Sequence, residues 1–318
     1  MCAQDPEAPP TTNRGVHWTV GGIDWISATL RDIEPRALCE LLSPNNSWPT
    51  VRGLNGYSHS FIGPGNVRVL FTPGRPDVHL VLPGAPLNAA GTAGQRAMLD
   101  LLVERDAAFT RIDLQLTDER PVVTPQGVWD ALSRGEAVTR VKVWDWMERG
   151  GSRTGSSVYV GAATSQQRLL VYDKAAESDD AVPGVRWELR AHDEAAETLA
   201  VQLHETDDWG AVWAGRVVGF IDFREVTEAT NSARRPRVAW FEELVAGAAK
   251  MRGYPPRALR TLEDVRRWLH RQVAPSLATV VLAAGGDTAP LLGLAADGFH
   301  RMSEAQRAMA QADDERGA

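Results

Sequence analysis

The sequence predicts an α+β protein built mainly from antiparallel strands. Several short segments alternate apolar and polar residues and are rich in β-branched or aromatic residues, as half-buried strands are. Other segments carry apolar residues at spacings of three and four, which indicates amphipathic helices. Most neighbouring strand candidates are joined by short loops, and such loops connect antiparallel strands. The fold class is therefore α+β.

The elements follow one another along the chain in a regular way. The predicted strands cover residues 22–30, 67–72, 77–82, 109–117, 138–144, 157–161, 167–173 and 184–191. The predicted helices cover residues 34–43, 93–107, 125–134 and 194–204. Beyond residue 205 the pattern becomes helical, because Trp209, Trp213 and Val217 recur at a spacing of four and form one apolar face.

The order strand, helix, several strands, helix occurs twice in this prediction. A duplicated α+β unit would explain the order, and two similar lobes without common ancestry would explain it equally well. The predicted organisation is a disordered lead over residues 1–19, a first lobe over 20–108, a second lobe over 109–205, a helical region over 206–302 and a polar tail over 303–318.

Charge limits the function classes. The chain has 34 Lys and Arg against 41 Asp and Glu, a formal net charge of −7. A protein that coats DNA without sequence preference neutralises phosphates with many basic side chains, so this balance argues against that class. The charge is uneven, however: residues 224–271 hold 11 Lys and Arg against 6 Asp and Glu. A local basic surface is therefore compatible with the sequence.

Cellular location is also constrained. The sequence has no apolar run of roughly 20 residues, the length needed to cross a bilayer, and its first residues do not form a secretory signal. We therefore expect a cytoplasmic protein without membrane contact. The only two cysteines, Cys2 and Cys39, cannot build a disulfide framework or a cysteine-ligated zinc site.

The segment between residues 150 and 190 concentrates groups capable of chemistry. It contains a Gly- and Ser-rich approach with Arg153, a strand that ends in VYDK, and a strand in which Glu188 lies between Arg186 and Arg190. This part of the chain resembles the replication initiation factor (Rep_trans) family, which comprises rolling-circle plasmid initiators and related relaxases of conjugative elements.

Five segments carry the resemblance, in the family's order and spacing. They are IDWISATL at 23–30, HLVLPG at 79–84, TRIDLQLTD at 110–118, VYVGAATSQQRLLVYDK at 158–174 and VRWELRA at 185–191. Each segment alone is a weak signal, whereas their order and spacing together are specific. With fainter matches further on, the resemblance extends from about residue 20 to about residue 282.

The resemblance implies roles for individual residues. The family's tyrosine nucleophile falls on Tyr172, followed by Asp173 and Lys174. Family members often have an arginine two residues before this tyrosine, but that position is Leu170 here, so Arg168 is the nearest substitute.

The family's acidic pair falls on Asp113 and Glu188, which would hold Mg²⁺ or Mn²⁺. A phenol with a pKa of about 10 is a poor nucleophile at neutral pH, so Lys174, Arg168 and the metal would have to activate Tyr172. A cation held by carboxylates would also stabilise charge on the phosphate. The arginines expected to contact DNA are Arg153, Arg186, Arg190, Arg234, Arg235 and Arg237.

Each of these residues also has a structural interpretation. Tyr172 could be a core aromatic residue with its hydroxyl at the rim, and Tyr159 is the competing nucleophile. Asp113 could form an ion pair with Arg111 or with an arginine on a neighbouring strand, and the same ambiguity holds for Glu188. The arginines after residue 230 could simply solvate a loop.

Two further chemistries are excluded locally. The seven histidines never occur as two histidines separated by one residue, the spacing at which many tyrosine nickases bind metal. The sequence also has no phosphate-binding loop of the Walker kind, so a separate helicase would have to unwind the DNA.

We therefore expect a metal-dependent, tyrosine-dependent enzyme that nicks and rejoins a single-stranded or hairpin origin, with homodimerisation open. Two alternatives remain. One is a protein of the same ancestry that binds DNA without cutting it, and the other is a nuclease in which carboxylates activate water.

Overall fold

The computed structural model describes residues 18–150, 155–178, 182–229, 231–246 and 273–302, with single residues between 262 and 310. The chain divides into two compact units, residues 1–255 and residues 256–318. All the strands found among the described residues lie in the first unit.

The strands of the first unit form one large sheet and one small ladder. The large sheet contains β1 (Trp18–Arg31), β2 (Thr50–Arg52), β3 (His59–Ile62), β4 (Arg68–Phe71), β5 (Asp77–Pro83), β6 (Ala108–Asp118), β8 (Trp144–Arg149), β9 (Gly155–Val160), β10 (Gln167–Asp173) and β11 (Val185–His192). The small ladder pairs β7 (Ala137–Thr139) with β12 (Ile221–Phe223).

The large sheet is antiparallel throughout, with the strand order β2-β3-β4-β5-β1-β6-β11-β10-β9-β8. Its two halves have the same topology: the first strand of each half, β1 or β6, lies at the centre and pairs with the last strand of that half, β5 or β11. The halves join where β1 pairs with β6, so they form a single continuous sheet.

Helices lie between and after the strands. The first unit contains α1 (Pro35–Leu42), α2 (Gly84–Glu104), α3 (Pro125–Ser133), α4 (Lys174–Glu177), α5 (Glu194–His204), α6 (Trp209–Phe220) and α7 (Ala239–Val245), with 3-10 turns at Pro64–Asn66 and Ser232–Arg234. The second unit contains α8 (Ala274–Ala283) and α9 (Ala289–Phe299), which contact each other. No helix in the described part of the chain is both long and apolar enough to span a membrane.

The central strands have two chemically different faces. Side chains alternate along a strand, so Ile112, Leu114 and Leu116 of β6 share one face, where they are fully buried. Helix α5 packs on β6 and β11, and α2 packs on β1. Burial of each such side chain contributes about 1.5–3 kcal/mol to stability. The opposite face of β6 presents Arg111 and Asp113.

Two local features fix the end of β10 and the start of β11 next to this polar face. Asp173 ends β10 and caps α4, because its Oδ1 accepts a hydrogen bond from the Ala176 N–H at 3.0 Å. Gly184 precedes β11 with a φ of +97°, and a Cβ there would lie 2.0 Å from the Asp118 carbonyl oxygen. Only glycine allows this close approach, which sets the start of β11 beside the end of β6.

The α+β class with a large antiparallel sheet is confirmed. Strands predicted at 67–72, 77–82, 109–117, 167–173 and 184–191 appear with small changes in their bounds. The single strand predicted at 138–144 is not present: residues 138–139 end β7, residues 140–143 form a connection, and residue 144 begins β8. The helix predicted at 93–107 is the second part of α2, which begins at Gly84 and is kinked at Gly91, where φ is +65°. The kink breaks the apolar periodicity, so the first part was not predicted.

Some elements carry too little signal to be predicted from pattern alone. Strands β2, β3 and β12 have only three or four residues, so no alternation is visible in them. The duplication and the domain boundaries remain predictions. The lead over residues 1–17, Arg153 and the tail from residue 303 lie outside the described residues, apart from two single positions in the tail.

Candidate active site

A cleft of about 580 Å³ opens on the polar face of the sheet. Strands β1, β6, β9, β10 and β11 contribute to it, together with the start of α2 and with α4. Its charged lining residues are Asp24, Arg111, Asp113, Asp173, Lys174, Glu177, Arg186, Glu188 and Arg190. The cleft therefore combines carboxylates and cations with Tyr172 and Tyr159.

Tyr172 lies at the end of β10, directly before the Asp173 cap, and its ring is half-buried. Its hydroxyl donates a hydrogen bond to Glu188 Oε1 at 2.7 Å. Burial, followed by the negative charge of Glu188, raises the pKa of the Tyr172 phenol well above its ordinary value of 10.0. The phenol is thus protonated at neutral pH, with its proton directed at a carboxylate.

Glu188 is buried, and both of its oxygens have partners. While Oε1 accepts from Tyr172, Oε2 accepts from Arg190 Nη2 at 2.8 Å and from Arg190 Nε at 3.2 Å. Arg190 stands on the same face of β11 because side chains two residues apart point the same way. The arginine balances the charge of Glu188 without contacting the oxygen that faces the phenol.

Asp113 is the second buried carboxylate of the cleft, with only 2% of its surface exposed. Arg111 binds it through two parallel hydrogen bonds, from Nε at 2.9 Å and from Nη2 at 2.5 Å, and Arg190 Nε lies 3.7 Å away. Burial raises the pKa of Asp113 in spite of these cations. The structural interpretation of Asp113 as part of an ion pair is therefore present, with one arginine partner on its own strand and one on the neighbouring strand.

Asp24 is a third carboxylate of the cleft. Burial and then the charge of Glu188 raise its pKa. Arg186 Nη1 lies 3.8 Å from its Oδ1, and Arg186 also donates to Thr117 Oγ1 at 3.1 Å. Asn88 on α2 approaches the same Asp24 oxygen at 3.5 Å. Asn88 was not identified as a site residue from the sequence, because the helix was predicted to begin only at residue 93.

The carboxylates suit a hard divalent cation by their chemistry, since such ions prefer oxygen ligands. Asp24, Asp113 and Glu188 face one cleft, and the charge of Glu188 raises the pKa of each of the two aspartates. Within the described residues, however, no three acidic, histidine or cysteine side chains are already grouped as ligands. A cation at Asp113 and Glu188 would therefore have to displace guanidinium groups.

The two expected helpers of Tyr172 occupy different places. Lys174 lines the cleft, with Nζ 5.8 Å from the centre of the Tyr172 ring, and it bonds to Glu177. Arg168 is not among the residues that line the cleft: it donates to the Gly161 carbonyl at 3.0 Å and stacks on the Tyr159 ring at 4.2 Å. Leu170, not Arg168, faces the cleft between Tyr172 and Tyr159.

The arginines expected to contact DNA divide into two groups. Arg186 and Arg190 line the cleft. Those after residue 230 lie elsewhere: Arg234 is exposed, Arg235 donates to the Ala229 carbonyl, and Arg237 pairs with buried Asp222 at 3.0 Å. The contact seen for Arg237 is structural.

Comparisons with known proteins identify the family and a similar fold. The family model described as "Replication initiation factor" matches residues 107–292, more than half of the chain. The fold is similar to that of the rolling circle replication initiator protein from Geobacillus stearothermophilus, with a TM-score of 0.61 and 20% sequence identity over 72% of this chain and 98% of that chain. No curated protein sequence matches the chain.

Proposed function

Because the chain belongs to the replication initiation factor family, we propose that it nicks and rejoins one DNA strand at an origin, with Tyr172 as the nucleophile. The observation that carries this proposal is the 2.7 Å hydrogen bond from the Tyr172 hydroxyl to Glu188. A buried phenol that already donates to a carboxylate has an acceptor for the proton that it must lose on attack.

The proposed reaction is a transesterification at phosphorus. Tyr172 Oη forms a bond to phosphorus while the bond from phosphorus to a deoxyribose oxygen breaks. The phenolic proton passes to Glu188, and the departing deoxyribose oxygen takes a proton from solvent and becomes a free hydroxyl. The phosphodiester energy is kept in the phosphotyrosine bond, so the reverse attack by the hydroxyl rejoins the strand.

The cations of the cleft support binding of a phosphate. Arg186 and Arg190 line it beside Tyr172 and Lys174. Guanidinium and ammonium groups stabilise the charge that develops on phosphate oxygens during attack. When Mg²⁺ or Mn²⁺ is bound, Asp113 and Glu188 would hold it, and the ion would supply further stabilisation of that charge.

The substrate and partners follow from the same proposal. The proposed substrate is single-stranded DNA or the exposed part of a hairpin, because the reacting phosphate has to reach the Tyr172 hydroxyl inside the cleft. Unwinding requires a separate helicase, since the sequence has no Walker loop. The proposed location is the cytoplasm, and a homodimer remains a further option.

A DNA-binding protein without nicking activity is the second candidate. It is favoured by Leu170, which replaces a frequent arginine of the family motif, and by the arginine partners of Asp113 and Glu188, which compete with a cation. A nuclease that activates water with carboxylates is the third.

One experiment separates the three. The protein is incubated with single-stranded oligonucleotides tiled across the DNA around its gene, with Mg²⁺ or Mn²⁺, and resolved on a denaturing gel with peptide mapping. We expect DNA attached to Tyr172, no adduct in Tyr172→Phe, and an adduct in Tyr159→Phe, the competing tyrosine.

An adduct that persists in Tyr172→Phe overturns the assignment. DNA retained on a native gel without an adduct supports the binding protein. Cut DNA without an adduct supports the water-activating nuclease.

A further inference from the structure

A second cleft of about 350 Å³ lies on the same face of the sheet as the candidate active site. The two clefts are contiguous, because Trp25 and Arg111 line both of them. Most residues that line the second cleft belong to the first half of the sheet, where β4 and β5 occupy the topological positions that β10 and β11 have in the second half. The repeated topology thus provides two adjoining clefts, of which only one contains Tyr172.

The charge of the second cleft differs from that of the first. None of the described residues that line it is acidic, whereas the first cleft has five carboxylates in its lining. Its lining includes Arg68 on β4, and this guanidinium has no hydrogen-bond or ion-pair partner within the described part of the chain. An unneutralised cation in a cleft without carboxylates favours an anionic ligand.

The remaining lining suits a nucleotide. The Trp25 ring is held by Arg111, whose guanidinium lies 4.6 Å from the ring centre, and by a 2.7 Å hydrogen bond from Nε1 to Ser27 Oγ. A fixed aromatic ring can stack on a base of any sequence. The side-chain amides of Asn55 and Asn66 make no hydrogen bond to the described residues, which leaves them free to meet base edges.

We propose that this second cleft, with Arg68 and Trp25, binds a nucleotide of the single strand next to the phosphate that reaches Tyr172. The volume lies within the range of about 300–1,000 Å³ that ligand pockets have. The proposal rests on the proposed function and extends it: the second half of the sheet carries the reaction, and the first half holds the adjoining strand. It also gives a chain of net charge −7 one place to hold DNA where none of the described lining residues is acidic.

The test compares two arginines in the full chain. Arg68→Ala removes the cation of the second cleft, and Arg68→Gln removes the charge while keeping most of the side chain. Arg105→Ala is the matched control, because this exposed residue at the end of α2 lines neither cleft. Binding is measured by fluorescence anisotropy with labelled single-stranded DNA from around the gene, in lengths of about 4 to 16 nucleotides shortened from either end.

We expect Arg68→Ala to weaken binding of the longer strands about tenfold at low salt, and to reduce the slope of log K against log salt by about 0.7, the value for one phosphate contact on a single strand. Strands too short to reach the second cleft should bind the wild type and Arg68→Ala equally. Arg105→Ala should change long and short strands alike and by less.

Equal effects of Arg68→Ala and Arg105→Ala, or a loss in Arg68→Ala that does not depend on strand length, would overturn the proposal. The same experiments distinguish failure of this proposal from failure of the proposed nicking function. If no adduct forms at Tyr172 but the length-dependent loss is present, the second cleft binds DNA and only the nicking assignment fails.

Discussion

Replacing Glu188 by glutamine probes the contact on which the proposed reaction depends. Glutamine keeps the shape of the side chain and an oxygen for Arg190, but it cannot take the proton of Tyr172. Removal of a positioned general base lowers rates by about 10²–10⁴-fold. At about 1.36 kcal/mol for each factor of ten, this corresponds to an activation barrier higher by about 2.7–5.4 kcal/mol.

The pH dependence gives this prediction a distinctive signature. The charge of Glu188 is one cause of the raised pKa of Tyr172, so its removal lowers that pKa. The phenolate then forms more readily without a base as the pH rises. We therefore expect the deficit of Glu188→Gln to be largest near neutral pH and to shrink in alkaline solution.

The assay is the rate of covalent adduct formation in single turnover across that pH range, with strand affinity measured in parallel. Glu177→Gln is the matched control, because Glu177 lines the same cleft but bonds to Lys174 and not to the phenol. Affinity should be kept or improved in both variants, since each removes a negative charge from a phosphate site. Equal rate losses in the two variants, or a Glu188→Gln rate equal to the wild type at every pH, would refute the role of Glu188 as proton acceptor.

Two further predictions concern the framework of the site. Asp222 is fully buried between Arg224 at 2.7 Å and Arg237 at 3.0 Å, so Asp222→Asn should lower the free energy of unfolding by about 3 kcal/mol in urea titrations. Asp207, whose side chain is almost fully exposed in its ion pair with Arg96, is the control: Asp207→Asn should lower it by less than about 1 kcal/mol. Hydrogen bonds from Arg75 and then Tyr57 lower the pKa of Asp77 to about 2 from 3.8, so its contribution to stability is present above pH 3.8 and is lost as the pH falls through about 2. Unfolding measured over this window should show a weaker acid dependence in Asp77→Asn than in the wild type, and an unchanged dependence would contradict the assigned cause.

Much of the fold was accessible from sequence because its signals are local. The central strands, including the one that carries Tyr172, have regular alternation, and the helices α1, α3 and α5 have clear apolar spacing. The errors occur where the local signal is weak or broken. Gly91 interrupts the periodicity of α2. The strand-like composition of 138–144 runs through the end of β7, the connection at 140–143 and the start of β8, so it does not show the break between the two strands.

The sequence predicted which residues belong to the site, but it did not predict which of them contact each other. The strand motifs identified Tyr172, Asp113 and Glu188, and the structure brings all three to one cleft. It also shows that Arg168 does not line that cleft and packs on the Tyr159 ring instead. The motif could not reveal this, because two residues on the same face of one strand can contact different side chains. The roles of these residues remain predictions.

The sequence by itself determined the class of fold, the family and the residues capable of the chemistry, because alternation and motif spacing are properties of neighbouring positions. Only the tertiary structure decided which charges meet. Arg190 contacts Glu188 on its own strand and Asp113 on the adjacent strand. Trp25 lines both clefts because β1 pairs with β6. Such contacts depend on strand register, and register is set by the packing of the whole sheet and not by any one segment.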